Sequence, residues 1–432
     1  KKVTEDETVK VERVMERVYD RGRLQRAWQS VKRNAGAAGI DKMTVGDFAK
    51  REQELLEVIR AKLEAGKYRF KPARRKEIPK PGTSKKRKLG IPVVMDRIVG
   101  QSLHTVLEEI FEPGFTESNF GFRRGKSQQQ AVAHMRRAIA NGREWCVAID
   151  LQSFFDKIPH GLILKLIRRK IYDERVVTLI ARSLKAGTIV DGVFEKSTEG
   201  CPQGSPVSPI LSNIVLNELD RELERRGHKY CRWADDFVIL MKSERAAGRV
   251  MEGITEYLEE ELGLLVNREK SKIAPSKEVE FLGFQILREK IRVSIKSRKR
   301  FKDKVRELTK RNNRFSMYEV IQRLNLYLRG WVAYFGIQEF KKIFLELDWF
   351  IRSRLRSMQL KKWKKPAKFQ RMMIRAELPK EQAKRTWVKM DNWQSATRPV
   401  VKFDLNVKWF RRMGLTFLDD YTKRNLEFEF AR

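Results

Sequence analysis

The chain has 432 residues, 93 Lys and Arg against 56 Asp and Glu, and a formal net charge of +37. Such an excess repels itself unless a polyanion neutralises it, and nucleic acid is the leading partner because each phosphate bound releases counterions. An acidic membrane surface ranks second, but no run of about 18 apolar residues exists and no signal-like segment opens the chain.

Four His and three Cys, the latter without C-x-x-C spacing, exclude zinc fingers and H-N-H-type nuclease centres and leave Cys146, Cys201 and Cys231 as reduced thiols. The length implies two to four domains, and 41% hydrophobic residues support real cores. A start at Lys1 rather than Met leaves room for further residues ahead of it.

From Val9 to Lys32 the pattern predicts a helix, with Leu24, Ala27, Trp28 and Val31 on one face, broken by the Asn34–Asp41 stretch. Leu55 to Leu63 resumes a helix, and Tyr68 to Ile78 alternates like a strand that ends in the turn Pro79-Lys80-Pro81-Gly82. Arg74, Arg75, Lys76, Lys80, Lys85, Lys86, Arg87 and Lys88 crowd this hairpin. Two readings balance there: an edge hairpin protected by its lysines, or a loop that grips phosphate.

Helices are expected at Asp96–Phe111 and Ser127–Ala140, then an apolar strand from Trp145 that ends on Asp150 and Leu151, with Phe154, Phe155 and Asp156 just beyond. A strand ending in Asp delivers a ligand to a cleft or caps the next helix. Gly200 to Pro209 concentrates prolines and glycines ahead of a helix at Ile210–Leu223. Cys201 and Ser205 in that loop have no His at a usable spacing and are not read as nucleophiles.

Tyr230 to Leu240 reads as two short strands with Asp235 and Asp236 at a tight turn. Turns tolerate Asp for their own reasons, so by itself the pair reads first as a solvated turn. An amphipathic helix follows at Ala246–Leu262, and the region that carries these acidic strands ends near Phe281-Leu282-Gly283-Phe284. Ser297 to Arg311 is intensely basic. Ile321, Leu324, Tyr327, Leu328, Trp331, Tyr334 and Phe335 then form a helical core stripe, with Arg323 and Arg329 facing outward. Beyond Leu360, Lys361, Lys362, Lys364 and Lys365 interleave with Trp363, Trp387, Trp393, Trp409, Phe410 and Tyr421. Aromatics among cations suit stacking on bases, while for each single tryptophan a small core is the simpler reading.

If the strands bearing Asp150 and Asp235-Asp236 are neighbours in one sheet, their carboxylates converge on a site for two divalent cations. Such a pair activates a 3′-hydroxyl and stabilises in-line displacement at phosphorus.

These residues resemble a group II intron-encoded reverse transcriptase and maturase. The likeness rests on Ile149-Asp150-Leu151 with Phe154-Phe155-Asp156, Cys201 to Pro209, Trp233-Ala234-Asp235-Asp236, Val266-Asn267 with Lys270, and Phe281 to Phe284, all in the family's order. Asn34–Asp41, Ile78–Pro81, Arg87–Pro92, Asp96-Arg97, Phe120–Arg123 and Leu324–Phe335 extend it over nearly the whole chain.

The resemblance implies an α+β right-hand polymerase: a helical N-terminal extension (1–48), fingers and an antiparallel-sheet palm (49–290), a helical thumb and maturase-specific domain (291–360) and a small basic DNA-binding domain (361–432). Two Mg²⁺, with Mn²⁺ as a substitute, would be held by Asp150, Asp235, Asp236 and the Leu151 carbonyl. Lys80 and Arg87 would hold the incoming triphosphate. Phe155 would exclude a 2′-hydroxyl, Asp156 and Gln203 would line the nucleotide site, and Lys270 would serve the pyrophosphate leaving group. Arg74, Arg75, Arg123, Trp233, Arg329, Lys361 and Lys362 are expected on nucleic acid. Partners would be intron or template RNA, primer or target DNA and deoxynucleoside triphosphates, in a bacterial cytoplasm.

One departure stands out: the family usually has Tyr where this chain has Trp233. Both are flat and carry a polar hydrogen, so activity is expected to survive. A splicing-only maturase with a vestigial site is a competing reading, and the intact Asp150, Asp235, Asp236, Phe155 and Lys270 argue against it. A relative recruited to defence or repair would share every motif, though the basic, aromatic C-terminal segment favours a mobile element. No endonuclease domain is expected, so target DNA would be used at an existing nick, gap or fork.

Overall fold

The computed structural model describes residues 11–79, 86–363 and 396–420, with residues 367, 371 and 374 between the last two stretches. The chain divides into two compact units, Lys1–Phe281 and Leu282–Arg432. Among the described residues no helix is long and apolar enough to cross a membrane.

In the first unit the expected opening helix is two, Val14–Val18 and Arg21–Asn34. Asp20 makes the break: its carboxylate accepts from the Arg23 N–H at 2.8 Å and so caps a new helix rather than continuing the old one. Leu24, Ala27, Trp28 and Val31 are buried together, as their spacing predicts. The segment after Asn34 is fastened by arginines: Arg74 donates to the Ala38 carbonyl, and Arg97 to the carbonyls of Ala35, Ala37 and Pro92.

The strands of this unit are β1 (Ala73–Pro79), β2 (Lys86–Ile91), β3 (Trp145–Ile149), β4 (Thr188–Val190), β5 (Val193–Glu195), β6 (Lys229–Trp233), β7 (Asp236–Met241) and β8 (Lys272–Pro275). The first strand opens at Ala73, later than the alternation from Tyr68 suggests. Buried Asp96 takes the Tyr68 hydroxyl at 2.7 Å and the Lys71 N–H at 2.9 Å, which draws that stretch inward and off the sheet.

One sheet has the order β2-β1-β4-β5, with β1 antiparallel to β2 and parallel to β4. The other, β6-β7-β3-β8, is antiparallel throughout. Phe237, Val238, Ile239 and Leu240 of β7 are all buried, so this sheet is covered on both faces. The Gln128–Ala140 and Glu244–Glu256 helices pack on it. One continuous core joins the opening helices, the Val94–Phe111 helix, the Ser208–Arg225 helix and the sheet. The functional residues therefore project from a rigid base.

The second unit opens with the hairpin β9 (Phe284–Leu287) and β10 (Lys290–Val293). Sequence reading assigned this hairpin to the polymerase side, ending at residue 290. It packs instead with the helices that follow: Tyr334 donates to the Leu282 carbonyl at 3.0 Å, Phe284 stacks on Tyr334, and Glu339 both donates to and accepts from Ile291. Gly283, at φ +79°, is needed there, because a Cβ would lie 2.8 Å from the Ser297 hydroxyl.

Helices Ile295–Leu308, Met317–Phe335 and Lys341–Trp363 form this unit's core with Val401, Leu405 and Phe410. Ser316 and Glu319 close a capping box on the second of these helices. Trp363 and Phe410 are core residues, whereas Lys364, Lys365, Trp387, Trp393 and Tyr421 lie outside the described residues.

Candidate active site

The strands β6 and β7 are joined by Ala234 and Asp235 alone, with Trp233 paired to Asp236 across the hairpin. Ala234 sits at φ +56°, a left-handed conformation that costs a non-glycine residue about 1 to 2 kcal/mol. The surrounding structure enforces it. Fully buried Arg232 donates to the Ala234 carbonyl at 2.9 Å and to the Asn213 side-chain oxygen at 3.1 Å, and forms a bidentate ion pair with Asp220, which has no exposed surface either.

Asn213 in turn donates to the Gly121 carbonyl at 2.8 Å. The segment at Ser118–Gly121 runs beside β6, through Arg232 N–H to Ser118 C=O and Phe120 N–H to Arg232 C=O, both 2.9 Å. Gly121 then presses on the turn, where a Cβ would stand 2.1 Å from the Ala234 nitrogen.

Asp150 arrives from the neighbouring strand. The register pairs Ile149 with Phe237, and one further step sets Asp150 opposite Asp236. Its backbone is held on both sides: its N–H donates to the Ser271 hydroxyl at 3.0 Å and its C=O accepts the Asn267 N–H at 2.8 Å. Leu151, buried, bridges to Val266. Lys270, on the same loop, places its ammonium 3.3 Å from the Asp150 carboxylate. The Val266–Ser271 loop thus positions one carboxylate, as the Arg232 network positions the others.

Burial first, then Asp235, Asp150 and Glu280, push the Asp236 carboxyl up to about 7. Asp236 keeps solvent-exposed surface all the same. Burial and Asp150 likewise push Asp235 up, while Arg87 and Arg232 pull it back. The exposed Arg87 of β2 therefore acts on Asp235.

Among the described residues no three His, Cys, Asp or Glu side chains form a ready metal cage. Asp150 and Asp235 repel the charged form of Asp236, and the Lys270 ammonium lies 3.3 Å from Asp150. The donor set still fits hard dications, which take carboxylate oxygens and would relieve that repulsion. No thiol competes: Cys231 is buried with its Sγ on the Ala131 carbonyl. Burial also pushes Cys201 up to about 12, which removes it as a nucleophile.

Beside the carboxylates, Phe155 meets Phe154 edge-on at 5.4 Å and Phe122 at 6.5 Å. The Gly200–Pro209 loop ties this turn to the β1–β2 hairpin. Its Cys201 N–H donates to the Phe155 carbonyl at 2.6 Å, Gln203 donates to the Asp156 carboxylate at 3.2 Å, and the Gln203 carbonyl accepts the Gly90 N–H at 2.7 Å. Gly204 is required, since a Cβ would lie 2.2 Å from the Gly90 oxygen. Lys88, Gly90, Phe155, Asp156 and Gln203 line one cleft. Lys80 lies outside the described residues.

The expected nucleic-acid contacts are placed unevenly. Arg74 is engaged by Ala38, and Arg75 by Glu195 at 3.0 Å and the Thr188 hydroxyl at 3.2 Å. Arg123 corrects the surface expectation: it is buried, its guanidinium donating to Glu112 and to the Thr116 and Asn119 carbonyls. Trp233 is half-buried beside the acidic turn, Arg329 and Lys361 are exposed, and Lys362 donates to the Phe315 carbonyl.

Arg232, Asp220, Asn213 and Ser271 escaped the sequence reading. Arg232 alone left a signal, a charge inside an apolar strand that calls for a buried carboxylate.

Residues 78–286 match the family described as reverse transcriptase (RNA-dependent DNA polymerase), and residues 298–375 the group II intron, maturase-specific domain. Protein YkfC of Escherichia coli K12 is 33% identical over 299 residues, 60% of this chain and 78% of that protein. The group II intron-encoded protein LtrA of Lactococcus lactis subsp. cremoris is 29% identical over 327 residues, 60% of this chain and 54% of its own length. A 91 kDa protein in the cob intron of Schizosaccharomyces pombe is 37% identical over 173 residues, 40% of this chain and 21% of that protein.

Proposed function

Since the chain belongs to the group II intron-encoded reverse transcriptases, which join a polymerase to a maturase domain, we propose that its acidic cleft copies RNA into DNA by nucleotidyl transfer. The observation that carries this reading is the register Ile149–Phe237, which sets Asp150 against the Asp235–Asp236 hairpin. Asp150, Asp235, Asp236 and the Leu151 carbonyl would hold the metal ions. When bound, two Mg²⁺, or Mn²⁺ in their place, supply activation of the primer 3′-hydroxyl and neutralise charge growing on the phosphate.

Arg87, with Lys80, takes the incoming triphosphate, since its charge already falls on Asp235. Lys270 neutralises or protonates the departing pyrophosphate. Phe155 lies against the sugar and leaves no room for a 2′-hydroxyl, while Gln203 and Asp156 fix the wall of the cleft. The maturase domain binds intron RNA, with Arg329 and Lys361 among its exposed cations, and assists splicing and insertion into primer or target DNA in a bacterial cytoplasm.

The test is extension of a DNA primer on an RNA template by the purified chain with deoxynucleotides and Mg²⁺. Template-dependent elongation is expected. A chain that binds intron RNA and promotes its splicing but never extends a primer is a maturase only.

A further inference from the structure

Phe122 holds φ at +57°, a conformation that a bulky aromatic residue rarely adopts, and exposes 44% of its surface. Strain of this kind persists only where the surroundings over-determine it, and it gathers at functional sites. Both neighbours of Phe122 are pinned. The Gly121 carbonyl is held by Asn213 and its Cα lies on the Asp235 turn, while Arg123 is buried against Glu112, Thr116 and Asn119.

Between these anchors the Phe122 ring projects onto Phe155, with centroids 6.5 Å apart and planes at 81°. Phe155 also meets buried Phe154, at 5.4 Å and 72°. Core packing explains Phe154, but it does not explain an exposed ring on a strained backbone.

We propose that Phe122 is a positioning residue that sets the angle of Phe155 and so determines the preference for deoxynucleotides over ribonucleotides. This rests on the reading of Phe155 as the residue against the sugar. A ring in contact with two aromatic neighbours has fewer ways to swing away from a 2′-hydroxyl than a ring in contact with Phe154 alone. Because Gly121, next to Phe122, packs on Ala234 and is tied to Arg232 through Asn213, Phe122 and the acidic turn share one frame.

The experiment measures single-nucleotide addition by the full chain on an RNA template and DNA primer, comparing deoxynucleotide with ribonucleotide. Phe122→Ala is expected to lower the deoxy preference about two- to tenfold, the scale of one aromatic pair. Phe122→Asn, which keeps the left-handed backbone without the ring, should match it, and Phe122→Tyr should restore the preference. Phe155→Ala should lower the preference further, with no additional loss when Phe122→Ala is added. An unchanged preference in both Phe122→Ala and Phe122→Asn, alongside a loss in Phe155→Ala, overturns the positioning role and leaves Phe155 in place. An unchanged preference in Phe155→Ala overturns both.

Discussion

Gly121 lies so close to Ala234 that a Cβ on the glycine would stand 2.1 Å from the alanine nitrogen. The acidic turn is therefore shaped from outside by a neighbouring segment as well as by its own two residues. Gly121→Ala must push the turn away, and a shift of about 1 Å in a reacting group costs on the order of a hundredfold in rate. That loss should show in single-turnover primer extension, normalised to folded protein. A variant that extends at the normal rate would mean that the turn tolerates displacement.

Arg232 and Asp220 form a fully buried pair under the same turn. Arg232→Met leaves Asp220 buried and uncompensated, at a cost of about 3 to 5 kcal/mol in denaturant unfolding. Replacing both, Arg232→Met with Asp220→Leu, should recover most of that stability, because apolar substitutes often equal a buried pair. Polymerisation should stay depressed in the double variant, since the Ala234 carbonyl still lacks its donor. Recovery of both properties together would reduce the pair to a packing element.

Burial holds the Asp96 carboxyl up at about 6, above its ordinary value of 3.8, against the hydrogen bonds from Tyr68 and the Lys71 N–H. The folded chain thus keeps this proton longer than the unfolded one. The resulting stabilisation is complete below about 4 and is lost as pH rises through about 6. Thermal midpoints of the wild-type chain and Asp96→Asn across that window should converge or diverge with this slope. The wild type should lose more stability than the variant on going from pH 4 to pH 6.

Lys270 stands 3.3 Å from the Asp150 carboxylate on a loop whose backbone also holds Asp150. If it serves the leaving group, Lys270→Met should slow the chemical step about a hundredfold or more with little change in nucleotide affinity. Rapid-quench rates against nucleotide concentration separate the two. A change in affinity alone would assign Lys270 to binding.

Much of this was legible in the chain because strand-borne chemistry leaves local marks. Asp150 at the end of an apolar strand, the Asp235–Asp236 turn and the proline-stiffened Gly200–Pro209 loop stand where alternation and turn composition put them. What was illegible depends on contacts distant in sequence. Arg123 reads as a surface cation until the fold supplies Glu112 and two carbonyls for it. The Tyr68–Pro72 stretch reads as strand until Asp96 draws it inward. The β9–β10 hairpin reads as the end of the polymerase until Tyr334 and Glu339 claim it. Ser271 and Asn213 carry no local signature, because a hydroxyl or amide that orients a distant backbone resembles any other.

The central claim is that Asp150 and the Asp235–Asp236 turn form one nucleotidyl-transfer site, and Asp235→Asn tests it most directly. The measurement pairs Mg²⁺-dependent cDNA synthesis on an RNA template with equilibrium binding of the same RNA. The expected result is loss of synthesis with binding largely intact, since the substitution removes a proposed metal ligand without altering the basic surfaces. Full synthesis by the Asp235→Asn chain would contradict the assignment.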